Sequence, residues 1–246
     1  MAKFFVNPEN ILDDVVIIKG SDVNHIKNVL RLNVGKKILI SDRQGQEYEC
    51  IIKEIDVDLI TAQILNRMLS YTEPAVETVL FQSLVKGEKM EFVIQKSVEI
   101  GVTRIIPLVT QRCIVKLESE KKLNHKIERW QKIAESAAKQ SKRGIVPEVC
   151  MPMSLKEALS YTKEQLDIGC IPYENEEAHH IKTFLQSIQV QSMGVFIGPE
   201  GGFTEEEVTL ASAYGVKSIT LGRRILRSET AGLVTLANIM YEIGDS

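Results

Sequence analysis

Residues 192–230 read SMGVFIGPEGGFTEEEVTLASAYGVKSITLGRRILRSET. The stretch switches between two periodicities. MGVFIG and KSITLG are short apolar runs of strand type, and TEEEVTLASAYG between them has helical character. Thr204 and Glu207 stand three apart at the start of that helix, as a capping box requires. SETAGLVTLANIMYEIG follows as a last helix, with Ser228 or Thr230 as its expected cap. Strand–helix alternation predicts a mostly parallel sheet with helices on both faces. Ligands of such sheets sit at the carboxyl ends of the strands, so the loops GPEGGFTEEE and LGRRILRSET are expected to wall one pocket.

The composition of the two loops limits the ligand. Gly198, Gly201 and Gly202 allow close backbone approach. The first loop lacks the GKS or GKT ending of a phosphate loop and the GxGxxG spacing of a dinucleotide site. It contains Glu200, which repels phosphate and suits a neutral or cationic ligand; the same carboxylate could equally accept backbone N–H groups of its own loop. The second loop places Arg223, Arg224 and Arg227 between two apolar runs. Ile225 and Leu226 suit the face of a flat aromatic ligand, leaving the arginines for a polyanion.

Upstream, ETVLFQSLV and RIIPLVT read as further strands, and GEKMEFVIQKSVEIG and NHKIERWQKIAESAAKQSK as helices. Before residue 70 the pattern is different. DDVVIIKG, KKILISD, YECIIKEID and DLITAQIL are β-type runs, interrupted by one helical piece, SDVNHIKNVLRL, with Ser21 or Asp22 as its cap. SYTEPAVE has linker character. The expected organisation is a small β-barrel-like domain over residues 1–72 and an α/β domain over 73–246.

The chain has 246 residues and net charge −3, yet residues 111–143 hold ten basic and four acidic side chains, Lys116 and Glu118 among them. A local basic face is what phosphate contacts need; paired charges on a solvated helix would give the same count. Cys50, Cys113, Cys150 and Cys170 are scattered, without metal-ligand spacing, so no metal is expected and reduced thiols in a cytoplasmic protein fit best. The N-terminus MAKFFVNPEN shows no signal-peptide pattern, and no run reaches the length of a membrane span.

FIGPEGGFTEEE together with LGRRILRSETAGL resembles the SPOUT methyltransferases, and more narrowly the RsmE family of 16S ribosomal RNA uridine N3-methyltransferases. The resemblance runs the length of the chain: HIKNVLRLNVG, QSLVKGEKMEFVIQKSVEIGVTRIIPLVTQR and ERWQKIAESAAKQSKR match further family segments. It departs slightly at Lys3, where arginine is common, and at Thr204, where serine is common. The resemblance implies a PUA-like N-terminal domain and a SPOUT domain with a deep trefoil knot, against the general rule that chains do not thread loops. It implies S-adenosylmethionine as cofactor, a homodimer, and a uridine N3 of 16S ribosomal RNA in the small subunit as target (U1498 in that family).

The resemblance also assigns residues. Ile197, Gly198, Gly201, Leu221, Gly222, Ile225 and Leu226 would hold the cofactor through backbone groups, with Pro199, Glu200, Gly202 and Ser228 in the same walls. Arg227 first, and Arg224 second, would stabilise negative charge developing on the uracil oxygens. Glu229 could accept the N3 proton, or serve only as an acid at a helix N-terminus. His25, Arg31, Arg112, Arg129, Gln140 and Arg143 would contact RNA. His25 could instead cap or pack, and Gln140 could simply sit on the surface. A non-catalytic RNA-binding protein would keep the basic stretch but lose the two loops, which are intact; a nucleotide- or NAD-binding enzyme would need the missing phosphate motifs.

Overall fold

A computed structural model describes residues 1–114 and 119–244. Lys116 and Glu118 of the basic stretch lie outside the described residues. Two compact units are present: residues 1–73 with 138–146, and residues 74–137 with 147–246.

The first unit is built on β1 (Lys3–Phe5), β2 (Ile11–Leu12), β3 (Val15–Lys19), α1 (Ser21–Asn24), β4 (Lys37–Ser41), β5 (Gln46–Ile55) and β6 (Leu59–Leu69). Its mixed sheet runs β1-β4-β5-β6-β3-β2, parallel at β1/β4 and antiparallel elsewhere. Alternation decides which face is inside: Val16 and Ile18, Ile38 and Ile40, Cys50 and Ile52, Ile60 and Ala62 all point into one buried cluster. Ile26 and Val23 of the helical piece close that cluster. The helical piece differs from expectation at both ends. Its cap is Gly20, at φ +74, and no side chain caps it; after Asn24 the chain widens into a π-type turn over His25–Val29.

The expected first domain also lacked a segment. Residues 138–146 pack with it because a buried ion pair draws them there: Arg143 donates to Glu73 at 2.6 Å, and Glu73 accepts the Gly144 N–H at 2.7 Å. Ser41 adds a hydrogen bond to the Gly144 carbonyl at 2.6 Å.

The second unit continues with β7 (Glu77–Ser83), α2 (Lys89–Ile100), β8 (Arg104–Val109), α3 (Glu120–Gln140), β9 (Glu148–Val149), β10 (Met153–Ser154), α4 (Leu155–Gln165), β11 (Ile168–Pro172), α5 (Ile181–Gln186), β12 (Ser192–Ile197), α6 (Glu205–Ala213), β13 (Lys217–Ile219) and α7 (Ser228–Ile239). The sheet is parallel, in the order β10-β8-β7-β12-β11-β13 with β9 also beside β8. Val79, Leu80 and Phe81 of β7 and Val195, Phe196 and Ile197 of β12 are all buried, because helices cover both faces. Phe81 stacks on Phe196 at 4.5 Å. Gly101, at φ +121, stops α2 as the sequence suggests.

The chain leaves β7 towards β8 on one side and returns to β12 on the other. The strand order reverses between β7 and β12, and the carboxyl ends of β12, β11 and β13 carry the loops that wall a cavity. The four cysteines are free thiols, and burial pushes Cys170 up to about 12, so it carries no nucleophile. Among the described residues no helix is long and apolar enough to cross a membrane, and no group of His, Cys, Asp and Glu could hold a metal ion.

Candidate active site

Three loops rise from the carboxyl ends of neighbouring strands: 173–180 after β11, 198–204 after β12 and 220–227 after β13. They enclose a cavity of about 860 Å³. The first of the two loops read from sequence is fixed as expected. Thr204 caps α6 by accepting the Glu207 N–H, and Glu207 returns a bond to the Thr204 N–H at 2.9 Å. The same carboxylate accepts the Gln111 N–H at 2.8 Å. Gly202 (φ +68) and Gly222 (φ +109) occupy backbone conformations that side chains rarely adopt. At Gly198 a Cβ would stand 3.2 Å from the Gly202 carbonyl carbon, a close approach that a larger residue could make only by shifting the turn.

All the predicted cofactor residues except Gly201 line the cavity, together with Arg224, Arg227 and Glu229. Gly201 instead offers its carbonyl to Arg112 Nη1 at 2.8 Å. The expected caps of α7 are also corrected: Arg227 is the N-cap, without a side-chain cap bond, and Ser228 is the first helical residue. Ser228 donates to the Gly198 carbonyl at 2.5 Å, which ties one loop to the other. Ile225 is 83% exposed, so it covers nothing within its own chain. Among the described residues, Arg223, Arg224 and Arg227 form no ion pair.

Two features were missed. Lys89 opens α2 and stands between the acids, 3.4 Å from Glu229 and 3.7 Å from Glu200. A lysine in the first turn of an amphipathic helix reads as solvent-facing, and nothing local marks it otherwise. Glu229 Oε2 is buried with no hydrogen-bond partner. The second missed feature is the loop 173–180, which brings Tyr173, Glu174, Glu176, Glu177 and His180 to the cavity. The signal was present: LDIGCIP follows a helix opened by the Ser154–Glu157 capping box and is a buried strand.

Glu176 holds that loop in shape. Its Oε1 accepts the Ala178 and His179 N–H groups at 2.9 and 3.1 Å and faces His179 Nδ1 at 3.2 Å. Burial pushes its carboxyl up, but those hydrogen bonds more than reverse this and bring it from 4.5 down to about 2. A carboxyl lowered by folding adds stability that is complete above its unfolded value and lost as pH falls through the folded one. Glu176→Gln is therefore expected to be less stable than the parent at about pH 6 and to match it near pH 2. Denaturation at the two pH values checks this; a gap that persists in acid would mean the charge is not what matters.

The predicted RNA contacts divide. His25, Arg31 and Gln140 are exposed, Arg31 at φ +50 and His25 edge-on to Phe4 at 6.0 Å. Arg129 is exposed but pairs with Glu91 at 2.7 Å. Arg112 fastens the 198–204 loop through Gly201 and Phe203. Lys139, within the basic stretch, pairs with Asp22 at 3.1 Å. Arg143 is corrected: it is 3% exposed and committed to Glu73, so it is a structural cation and not a surface contact.

A family model described as an RNA methyltransferase domain matches residues 72–240, and one described as an RNA methyltransferase PUA domain matches residues 18–65. The ribosomal RNA small subunit methyltransferase E of Bacillus subtilis (strain 168) is 34% identical over 230 residues, covering 92% of this chain and 89% of that protein. The crystal structure of the Neisseria gonorrhoeae enzyme of the same name, bound to S-adenosyl methionine, has 33% identity and a TM-score of 0.84, covering 100% of this chain and 99% of that one. A putative methyltransferase of Legionella pneumophila, in complex with the cofactor SAM, has 28% identity and a TM-score of 0.84, covering 99% and 98%. The mixed-sheet unit is thus PUA-like, and the parallel-sheet unit is an RNA methyltransferase domain. Likeness of this extent, through both domains and along nearly the whole length of these relatives, places the chain in the ribosomal RNA small subunit methyltransferase E family.

Proposed function

We propose that this chain transfers a methyl group from S-adenosylmethionine to N3 of one uridine in the 16S ribosomal RNA of the small subunit. The observation that carries the reading is the cavity itself. It is walled by glycine backbone and apolar side chains, with carboxylates at Glu174, Glu176, Glu177, Glu200 and Glu229 and cations at Lys89, Arg223, Arg224 and Arg227. Such walls fit a flat adenine, and the acids fit the positive charge of a sulfonium and an ammonium. Backbone groups of Ile197, Gly198, Leu221, Gly222, Ile225 and Leu226 would hold the adenosine, with Glu200 and Ser228 beside them.

Bound there, S-adenosylmethionine would supply an electrophilic methyl group for transfer to the uracil nitrogen. The rest falls to this chain's own residues. Positioning does much of the work, since a held pair of reactants avoids the entropy cost of meeting. The uracil N3–H must give up its proton, and Glu229, with Oε1 near Lys89 and Oε2 unpartnered, is the carboxylate assigned to receive it. Arg227 offsets the negative charge that forms on the uracil oxygens, with Arg224 beside it. His25, Arg31 and Gln140 in the PUA-like unit, and Arg112 and Arg129 in the other, are assigned to RNA. An RNA-binding role for the first unit, residues 1–73 with 138–146, a catalytic role for the second, the trefoil threading and the homodimer belong to the same reading.

The test is transfer of label from S-adenosylmethionine to small subunits that lack the modification, followed by digestion and nucleoside analysis. Labelled 3-methyluridine is expected. Label in another nucleoside would overturn the N3 assignment, and binding of S-adenosylmethionine without transfer would overturn the substrate. Absence of binding would overturn the cofactor.

A further inference from the structure

Gln82 lies near the end of β7, in register with Ile197, the last residue of β12. It is fully buried and does not line the cavity. Its Nε2 donates to Ser228 Oγ at 2.9 Å and to the Ser83 carbonyl at 3.2 Å. Ser228 Oγ in turn donates to the Gly198 carbonyl at 2.5 Å. A serine hydroxyl has one proton. A carbonyl can only accept, so that proton is committed to Gly198, and Ser228 must accept from whatever lies behind it. The amide of Gln82 is thereby oriented: Nε2 faces Ser228 and Oε1 faces α7, where a Cβ at Gly232 would stand 3.2 Å away. Oε1 has no hydrogen-bond partner there.

The chain of donors joins three elements that separate stretches of sequence supply: the end of β7, the 198–204 loop and the first turn of α7. Gly198 and Ser228 both face the cavity, and Ser228 lies between Arg227 and Glu229. Resting on the S-adenosylmethionine reading of that cavity, we propose that Gln82 is a positioning residue for the cofactor. By donating to Ser228 it holds the Ser228 proton on the Gly198 carbonyl and so sets the distance between the two loops. A group that could only accept at position 82 would compete for that proton and release Gly198.

Calorimetric titration with S-adenosylmethionine tests this on the full chain, with the parent, Gln82→Met, Ser228→Ala and the double variant. Methionine matches the length of glutamine and removes both polar atoms. Each single variant is expected to bind about tenfold more weakly, the size of one lost buried hydrogen bond. The double variant is expected to lose no more than the weaker single one, since both break the same chain. KM for the small subunit is expected to stay unchanged. Parent-like binding by Ser228→Ala or by a folded Gln82→Met would overturn the role of Gln82, as would losses that add. A parent that does not bind S-adenosylmethionine would overturn the cofactor reading itself, an outcome distinct from the others.

Discussion

Arg227→Ala is expected to leave the protein folded and to lower methyl transfer by about a hundred- to thousandfold at saturating S-adenosylmethionine, the loss seen when one preorganised donor to developing negative charge is removed. The structure supports both halves of this. Arg227 is exposed, forms no ion pair among the described residues, and caps α7 through its backbone alone, at φ −65 and ψ 153. Its side chain therefore holds nothing together, and truncation should cost under about 0.5 kcal/mol of stability. Yet it lines the cavity one residue from Ser228 and two from Glu229. Deprotonating uracil N3 leaves charge on the flanking oxygens, and a guanidinium fork answers that charge where an ammonium answers it less well. Arg227→Lys should accordingly fall between parent and alanine. Single-turnover transfer to small subunits, with thermal denaturation in parallel, decides it. Turnover of the alanine variant at the parental rate would remove Arg227 from the mechanism. A collapse of its melting temperature would make it structural.

The local rules that marked the 198–204 loop were strong ones. A strand, a glycine-rich turn and a capping box follow one another between Ser192 and Glu207, and Thr204 and Glu207 satisfy one another as that spacing requires. The cap of α7 was less legible, because Ser228 has a better use for its hydroxyl at Gly198 than at a helix end. Lys89 and Gln82 were not legible at all. Gln82 meets Ser228 across 146 positions of sequence, and no periodicity reports such a meeting. The loop 173–180 went unread because its strand, Ile168–Pro172, is short and was not separated from the polar run before it. Charge density over 111–143 left phosphate contacts and paired charges as alternatives. Pairing holds for Lys139 and Arg143, which meet Asp22 and Glu73.

Arg143 gives the sharpest separation between those two views of a basic residue. If it met phosphate, Arg143→Ala would leave stability unchanged and weaken RNA binding in a salt-dependent way. The geometry predicts the reverse. Arg143 is 3% exposed, and its Nη2 and Nε donate to Glu73 Oε2 at 2.6 and 3.2 Å. Glu73 Oε1 is meanwhile taken by the N–H groups of Gly144 and Ile145 at 2.7 and 3.2 Å. Around this pair, Lys3 and Thr72 both donate to the Lys142 carbonyl and Ser41 donates to the Gly144 carbonyl. Removing the guanidinium strands a carboxylate that only backbone donors then serve, so the loss is expected to be about 3 kcal/mol, the lower part of the range for breaking a buried pair. Denaturant unfolding measures it. Glu73→Gln combined with Arg143→Met should recover part of that loss, because no unpaired charge remains. An Arg143→Ala protein as stable as the parent, but with weakened RNA binding and a shallower salt slope, would return this residue to the RNA surface.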